Sequence, residues 1–276
     1  MLTPLNVRQL LREFDLRPKK SLGQNWLVDE AALARIAATA ELTRQDTVLE
    51  IGPGLGALTR HLAEGAGRVV AVELDSALIP PLGRVMAGYP HVSIVHGDIL
   101  RLDPAALVET ALYKVVANLP YYITSSVIRH LLEAAIRPSL IVLTVQWEVA
   151  QRITAAPGQM SLLAVSVQFY GQPSIVAQIK AGAFYPVPKV DSAVVRIDPY
   201  RHPAVEVADR KQFFAVVKAG FSQKRKQLHN ALAAGLARPQ LEIAAALERA
   251  GLDGRRRAQT LSLQEWASIA QALASS

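Results

Sequence analysis

Asp46-Thr47-Val48-Leu49-Glu50-Ile51-Gly52-Pro53-Gly54-Leu55-Gly56-Ala57-Leu58-Thr59-Arg60-His61-Leu62 reads as an apolar strand, a glycine turn and the start of a helix. That order opens a doubly wound α/β sheet, where glycines let a ligand approach the backbone and the helix N-terminus faces it. A dinucleotide-binding dehydrogenase would show Gly-x-Gly-x-x-Gly. Here the spacing is Gly-x-Gly-x-Gly behind an acidic Glu50. By itself this is a weak signal.

Working outward, each following strand ends in a group suited to an adenosine. Residues 68–73 form a strand ending in Glu73, about 20 residues beyond the glycine turn, where a carboxylate accepts ribose hydroxyls. A third strand, 91–96, leads to Gly97-Asp98, and that carboxylate can accept an adenine amine. The apolar run 113–117 ends in Asn118-Leu119-Pro120-Tyr121, ahead of a helical segment at 124–134. Methylating an exocyclic aromatic amine requires holding a weakly nucleophilic nitrogen, its lone pair delocalised into the ring, against an electrophilic methyl. An Asn amide oxygen accepts one N–H of that amine and a backbone carbonyl accepts the other. Pro120 fixes its own φ and biases Leu119 away from helix, which leaves the Leu119 carbonyl free. Tyr121 offers the base a flat face. On these four residues alone, an ordinary strand-to-helix turn explains the sequence equally well. It explains poorly why the glycine turn, Glu73, Asp98 and Asn118 fall on four successive strand ends. The combination looks like a Rossmann-like S-adenosylmethionine-dependent methyltransferase sheet, with Gly52, Gly54, Glu73, Asp98 and Asn118 around the cofactor.

Composition bounds the rest. The 276 residues, 51% of them hydrophobic, are enough for one large domain and a smaller one. The strongest apolar run, 140–145, is strand-length, well short of the ~18 residues of a membrane span. Arg8, Arg12 and Arg17 are interrupted by Glu13 and Asp15 without an apolar core, so no secretory or transit signal is expected. The absence of cysteine excludes disulfides, a thiolate nucleophile and Cys-ligated zinc. A cytoplasmic protein is expected. His61, His91 and His96 lack metal-ligand spacing, so no metal is expected. The net charge of +7 is uneven: residues 31–200 balance thirteen Lys and Arg against thirteen Asp and Glu, whereas 201–276 carry twelve against six. That asymmetry suits a polyanion-binding appendage on a neutral body, a solvated basic surface being the plain alternative.

Before the glycine turn, Gly23-Gln24-Asn25-Trp26-Leu27 is suited to a loop covering a ligand, or equally to an N-terminal strap. Asp29 caps a helix to about residue 40. After the tetrapeptide the pattern predicts a strand at 140–145, a helix at 148–154, a turn at 155–159, an apolar element at 162–169, a strand at 174–180 and a last strand behind Pro186 and Pro188. Phe184 is placed to reach back to the pocket, although core packing is the commoner fate of such a residue. Helical periodicity follows at 209–220, 224–234, 241–250 and 263–273, with capping-box spacing at Ser262…Glu265. Lys224-Arg225-Lys226 and Arg255-Arg256-Arg257 are the candidate phosphate contacts. The expected organisation is a catalytic domain over 1–200 and a small, basic, all-α RNA-binding domain over 201–276.

With these residues assembled, the chain resembles the small-subunit (16S) rRNA adenine N6-dimethyltransferase family, whose loss in bacteria gives kasugamycin resistance. The resemblance covers nearly the whole chain. It rests on Gly23-Gln24-Asn25-Trp26-Leu27, residues 50–56, Glu73-Leu74-Asp75, Gly97-Asp98, Asn118-Leu119-Pro120-Tyr121-Tyr122, residues 188–195 and residues 221–230. It implies transfer of four methyl groups to two adjacent adenosines in the hairpin loop near the 3′ end of the small-subunit rRNA, in an assembling 30S particle. Neither DNA nor a membrane is an expected partner, and a monomer is expected. By resemblance, Asn25, Leu27, Gly52, Glu73, Asp98 and Asn118 line the S-adenosylmethionine site, while Leu119, Pro120, Tyr121 and Phe184 complete the catalytic pocket. Trp26 stands where the family has Phe, Gln159 where it has a basic residue ahead of a Leu-Ser pair (Met160-Ser161 here), and His229 where it has Arg. The alternatives are a large-subunit rRNA adenine methyltransferase of the macrolide-resistance type, and a weakly catalytic assembly or transcription factor on the same fold.

Overall fold

A strand that is apolar on both faces can only be stable inside a sheet covered on both sides, and four segments of this chain read that way. A computed structural model describes residues 2–274. In chain order its elements are α1 (Val7–Glu13), β1 (Trp26–Leu27), α2 (Glu30–Thr39), β2 (Thr47–Ile51), α3 (Ala57–Gly65), β3 (Arg68–Glu73), α4 (Ile79–Met86), β4 (Val92–His96), α5 (Pro104–Val108), β5 (Lys114–Asn118), α6 (Thr124–Glu133), β6 (Leu140–Gln146), α7 (Trp147–Ile153), α8 (Leu162–Tyr170), β7 (Gly171–Ile179), β8 (Phe184–Tyr185), β9 (Ser192–Pro199), α9 (Arg210–Phe221), α10 (Leu228–Leu236), α11 (Gln240–Arg249) and α12 (Leu263–Ala274).

The sheet has seven strands in the order β4-β3-β2-β5-β6-β9-β7. From β4 to β6 all pairings are parallel, and β9 joins β6 antiparallel, with Thr144 opposite Val194. The buried strands β2, β3, β5 and β6 carry the branched apolar runs, whereas β4, at the edge, is only partly covered. The chain leaves β2 toward β3 and β4 on one side, then returns to place β5 and β6 on the other. The order therefore reverses between β2 and β5, and a crevice opens outside their carboxyl ends.

The N-terminal part of the chain contributes a helix cap and a short strand pairing. Asp29 caps α2 by accepting from the Ala32 amide at 2.8 Å, as its sequence position predicts. β1 pairs antiparallel with β8, setting Trp26 opposite Tyr185 and Leu27 opposite Phe184. Leu27 and Phe184 then join Leu33, Ile36, Val48, Leu62 and Val194 in one buried cluster.

The chain divides into two compact units, one of residues 1–150 and 174–199, the other of 151–173 and 200–276. The change of composition after Pro199 predicts one boundary at residue 200, but 151–173 group with the helical unit. The apolar element at 162–169 is a helix, α8, whose Phe169 stacks on Phe213 of α9 at 4.9 Å between ring centroids. The Gly158 and Met160 amides both donate to the Gln259 carbonyl. In the same unit Trp266 is fully buried against Gly220, where an added Cβ would stand 2.4 Å from the indole. That close approach lets α9 and α12 pack tightly. The capping box forms in both directions: Glu265 N donates to Ser262 Oγ at 3.2 Å and Ser262 N to Glu265 Oε2 at 2.8 Å. The helix expected from residue 224 starts only at Leu228, and Lys224, Arg225 and Lys226 lie in the preceding turn.

Candidate active site

The glycine turn after β2 is left-handed at Gly52, Gly54 and Gly56, a conformation in which a side chain is strained. At Gly54 space is short as well: an added Cβ would lie 2.6 Å from the Trp26 Nε1. The bare glycine backbone lets the Trp26 indole lie against the turn. Beyond it, the buried Glu73 carboxylate accepts from the Gly54 amide at 3.0 Å with one oxygen and from the Asp75 amide at 2.8 Å with the other. Burial raises the Glu73 carboxyl above its ordinary range, against these amide hydrogen bonds. Each oxygen keeps acceptor capacity for a further donor.

Asp98 accepts from the Leu100 amide at 3.0 Å, so it caps the short turn after β4 while lining the same cleft. At the end of β5, Asn118 Nδ2 donates to the Asn25 carbonyl at 3.3 Å, and Asn25 Nδ2 donates to the Gly23 carbonyl at 3.1 Å. The Asn118 amide nitrogen is thereby turned toward the N-terminal loop and its oxygen is left to accept. Among the described residues no hydrogen bond reaches the Leu119 carbonyl. Pro120 sits at φ −56° and ψ 133°, its φ where the ring fixes it. The Tyr121 hydroxyl meets Ser192 Oγ at 2.9 Å, which fixes the direction of its ring, and burial raises its pKa despite that bond.

These groups converge. Asn25, Gly52, Gly54, Glu73, Asp98, Asn118, Leu119, Pro120, Tyr121 and Phe184 all line one cleft at the carboxyl ends of β2 to β5. Leu27 does not. The residue is 2% exposed and its side chain packs in the core beside Leu33 and Val48, so any contact with a ligand in the cleft falls to its backbone.

Sequence reasoning missed Asp75 and Lys19. Asp75 accepts from Lys19 Nζ at 2.7 Å with one oxygen and from Gln24 Nε2 at 2.8 Å with the other, while Gln24 Oε1 accepts from the Lys19 amide. Burial opposes ionisation of Asp75, but the hydrogen bonds of Lys19, Gln24 and the Ala77 amide outweigh it and hold the carboxyl below its ordinary value. Between Lys19 and Gln24, Gly23 lies against Pro120 and Tyr122, 3.3 and 3.4 Å from where a Cβ would be. Residues 19–24 are thus held at the cleft by Asp75 on one side and by Pro120 and Tyr122 on the other. The available signal was a second acid two residues beyond the strand-end Glu73.

In the helical unit the two basic clusters come together, because the Leu228 amide donates to the Arg256 carbonyl at 2.7 Å and the His229 amide to the Gly254 carbonyl at 3.1 Å. His229 adds a contact from Nδ1 to the same Gly254 carbonyl, at 2.9 Å. Lys224, Arg225, Lys226, Arg255 and Arg257 are exposed. Arg256 is differently employed: its guanidinium pairs with both oxygens of Glu265 and donates to the Thr260 carbonyl at 2.8 Å. The histidines without metal-ligand spacing are hydrogen-bonded to protein: His61 to Glu30, His91 to the Ala63 carbonyl and His96 to the Leu74 carbonyl. Among the described residues there is no cluster suited to a metal ion.

The family model described as ribosomal RNA adenine dimethylase matches residues 16–275. The chain belongs to that family. Among its relatives, the ribosomal RNA small subunit methyltransferase A of Moorella thermoacetica is 45% identical over 98% of both chains. The protein of the same name from Dehalococcoides mccartyi is 45% identical over 94% of this chain and 90% of its own. Among solved structures, the 23S rRNA methyltransferase ErmE is 31% identical, with a TM-score of 0.71 over 90% of this chain and 99% of its own. A dimethyladenosine transferase from Plasmodium falciparum superposes with a TM-score of 0.73 over 87% of this chain and 94% of its own; at 24% identity it speaks for the fold. As a member of the dimethylase family, the chain is an S-adenosylmethionine-dependent rRNA adenine methyltransferase on an α/β sheet.

Proposed function

We propose that this dimethylase adds two methyl groups to N6 of each of two adjacent adenosines in the 3′-terminal hairpin loop of small-subunit rRNA, acting in the cytoplasm as a monomer on an assembling 30S particle. The observation that carries the chemistry is the orientation of Asn118, whose amide nitrogen is occupied by Asn25 and whose oxygen is free to accept. The near full-length similarity to proteins named small subunit methyltransferase A supports the choice of subunit. The similarity to ErmE, at lower identity, makes the large subunit the second reading.

The cleft suits the cofactor by its own chemistry. Glu73 offers acceptors for ribose hydroxyls, Asp98 an acceptor for the adenine amine, and the turn at Gly52 and Gly54 a surface without side chains for close approach. S-adenosylmethionine, when bound, supplies an electrophilic methyl. The protein's part is positioning. The Asn118 oxygen and the Leu119 carbonyl accept the two N–H groups of the target amine and point its lone pair outward. Tyr121, its ring direction fixed by Ser192, and Phe184 flank the base. Stacking contributes ~1–3 kcal/mol per base, comparable to the few kcal/mol lost when the base leaves its stack. Holding the reactants in line supplies more, on the order of 7–11 kcal/mol of the barrier. Positioning is therefore the dominant effect, and no strong base is needed: the amine becomes acidic once methylated and loses its proton to solvent.

In the helical unit, Lys224, Arg225, Lys226, Arg255 and Arg257 are the proposed phosphate contacts, and Arg256 is a strut that holds their loop. The test is transfer of labelled methyl to 30S particles lacking these modifications, with 50S particles as control. Label on 30S as N6,N6-dimethyladenosine is expected. Label on 50S alone would establish the second reading.

A further inference from the structure

Behind the glycine turn lies a small cavity lined by Glu50, Gly52, Pro53, Trp26, Leu58 and Asn118, among others. Glu50 is 1% exposed, and neither of its carboxyl oxygens has a hydrogen-bond partner among the described residues. The Thr59 hydroxyl lies near enough to favour the ionised form, yet outside hydrogen-bond geometry, and it too is buried and unpartnered. Among the described residues, no Lys, Arg or His lines the cavity. The other charged group felt there is Glu73, whose repulsion favours the neutral acid. A buried carboxyl with no donor and no cation costs far more ionised than neutral. Burial accordingly pushes Glu50 up to about 8.

Asn118 lines both this cavity and the main cleft. The wall that Asn118, Gly52 and Trp26 share is thus what stands between a cation in the main cleft and Glu50, and a protein interior screens charge poorly. On the reading above, which this inference rests on, S-adenosylmethionine brings a sulfonium and an ammonium, and S-adenosylhomocysteine keeps only the ammonium. We propose that Glu50 is protonated in the free enzyme and ionises when the cationic cofactor binds, releasing its proton to solvent and favouring the methyl donor over the demethylated product.

The sign follows from linkage. If the free enzyme binds a proton that the complex does not, affinity rises with pH. The Kd for S-adenosylmethionine then falls by up to about tenfold per pH unit below pH 8 and levels off above it. Substituting Gln at Glu50 removes both the proton and the pH dependence.

Titration calorimetry on the full chain at pH 7, in two buffers of different ionisation enthalpy, counts the protons. Wild type is expected to release close to one proton per S-adenosylmethionine and fewer per S-adenosylhomocysteine. Glu50→Gln, with its fold checked by circular dichroism, is expected to release none from this site and to lose preference for the methyl donor. Wild-type binding heat that does not depend on the buffer would overturn the proposal while leaving the methyltransferase reading intact. The same proton release in Glu50→Gln would do likewise. Failure of wild type to bind either compound would overturn both.

Discussion

Asn118 and Asn25, 93 residues apart, are joined by one hydrogen bond of 3.3 Å from side-chain nitrogen to backbone oxygen, and this bond decides which way the Asn118 amide faces. Reversed, the amide would present a donor to an amine that needs an acceptor. Asn118→Ala should lower single-turnover methylation on the order of 100-fold, the size of effect seen when one preorganised polar group is removed from a reacting centre. Cofactor affinity should change much less. Near wild-type rates with normal cofactor binding would show that the amide is dispensable.

Asp75 holds both Lys19 and Gln24, so Asp75→Asn should loosen the N-terminal loop and weaken cofactor binding several-fold without unfolding the sheet. The folded protein keeps this carboxyl below its ordinary value of 3.8, so its stabilising effect is fully present above that pH and is lost as pH falls through the lower folded value. Denaturant melts of wild type and variant should differ by a constant amount from pH 7 to 5 and converge below about pH 4. A gap that persists into strong acid would mean that the charge is not what holds the clasp.

Glu50 has the opposite sign. Its carboxyl titrates near 8 in the fold against an ordinary 4.5, so the unfolded chain ionises first and wild type loses stability as pH rises between those values. At about 1.4 kcal/mol per pH unit, the loss is on the order of 5 kcal/mol at most. Free of cofactor, Glu50→Gln should match wild type near pH 4 and melt at higher temperature at pH 8. Equal melting temperatures at pH 8 would count against a buried neutral acid.

The basic residues of the helical unit separate into two kinds. Replacing Lys224, Arg225 and Lys226 with Ala should reduce the slope of log affinity for rRNA against log salt by roughly 0.7–0.9 for each phosphate that is no longer neutralised. Arg256→Ala should leave that slope unchanged and instead lower the stability of the helical unit by about 1–3 kcal/mol, through loss of its charged hydrogen bonds to Glu265. A salt slope that falls with Arg256→Ala would return this residue to the RNA surface.

Much of the protein was legible residue by residue. The strand, glycine turn and helix at 46–62, the acids closing the next two strands, the Asp29 cap and the Ser262…Glu265 box are local patterns, written in side-chain periodicity and short-range hydrogen bonding. They determined the sheet, and the order of its strand ends placed one ligand's groups at one crevice. Other features depended on partners far away in sequence, about which a local pattern is silent. Leu27 turned into the core because β8 pairs beside it. Arg256, one of three adjacent arginines, was taken by Glu265. The basic turn at 224–226 stayed out of α10, whose first amides are capped by the carbonyls of Gly254 and Arg256. The free face of Asn118, the clasp on Asp75 and the isolation of Glu50 were likewise decided by tertiary structure, because the direction of an amide and the environment of a carboxyl are set by whatever the rest of the chain packs around them.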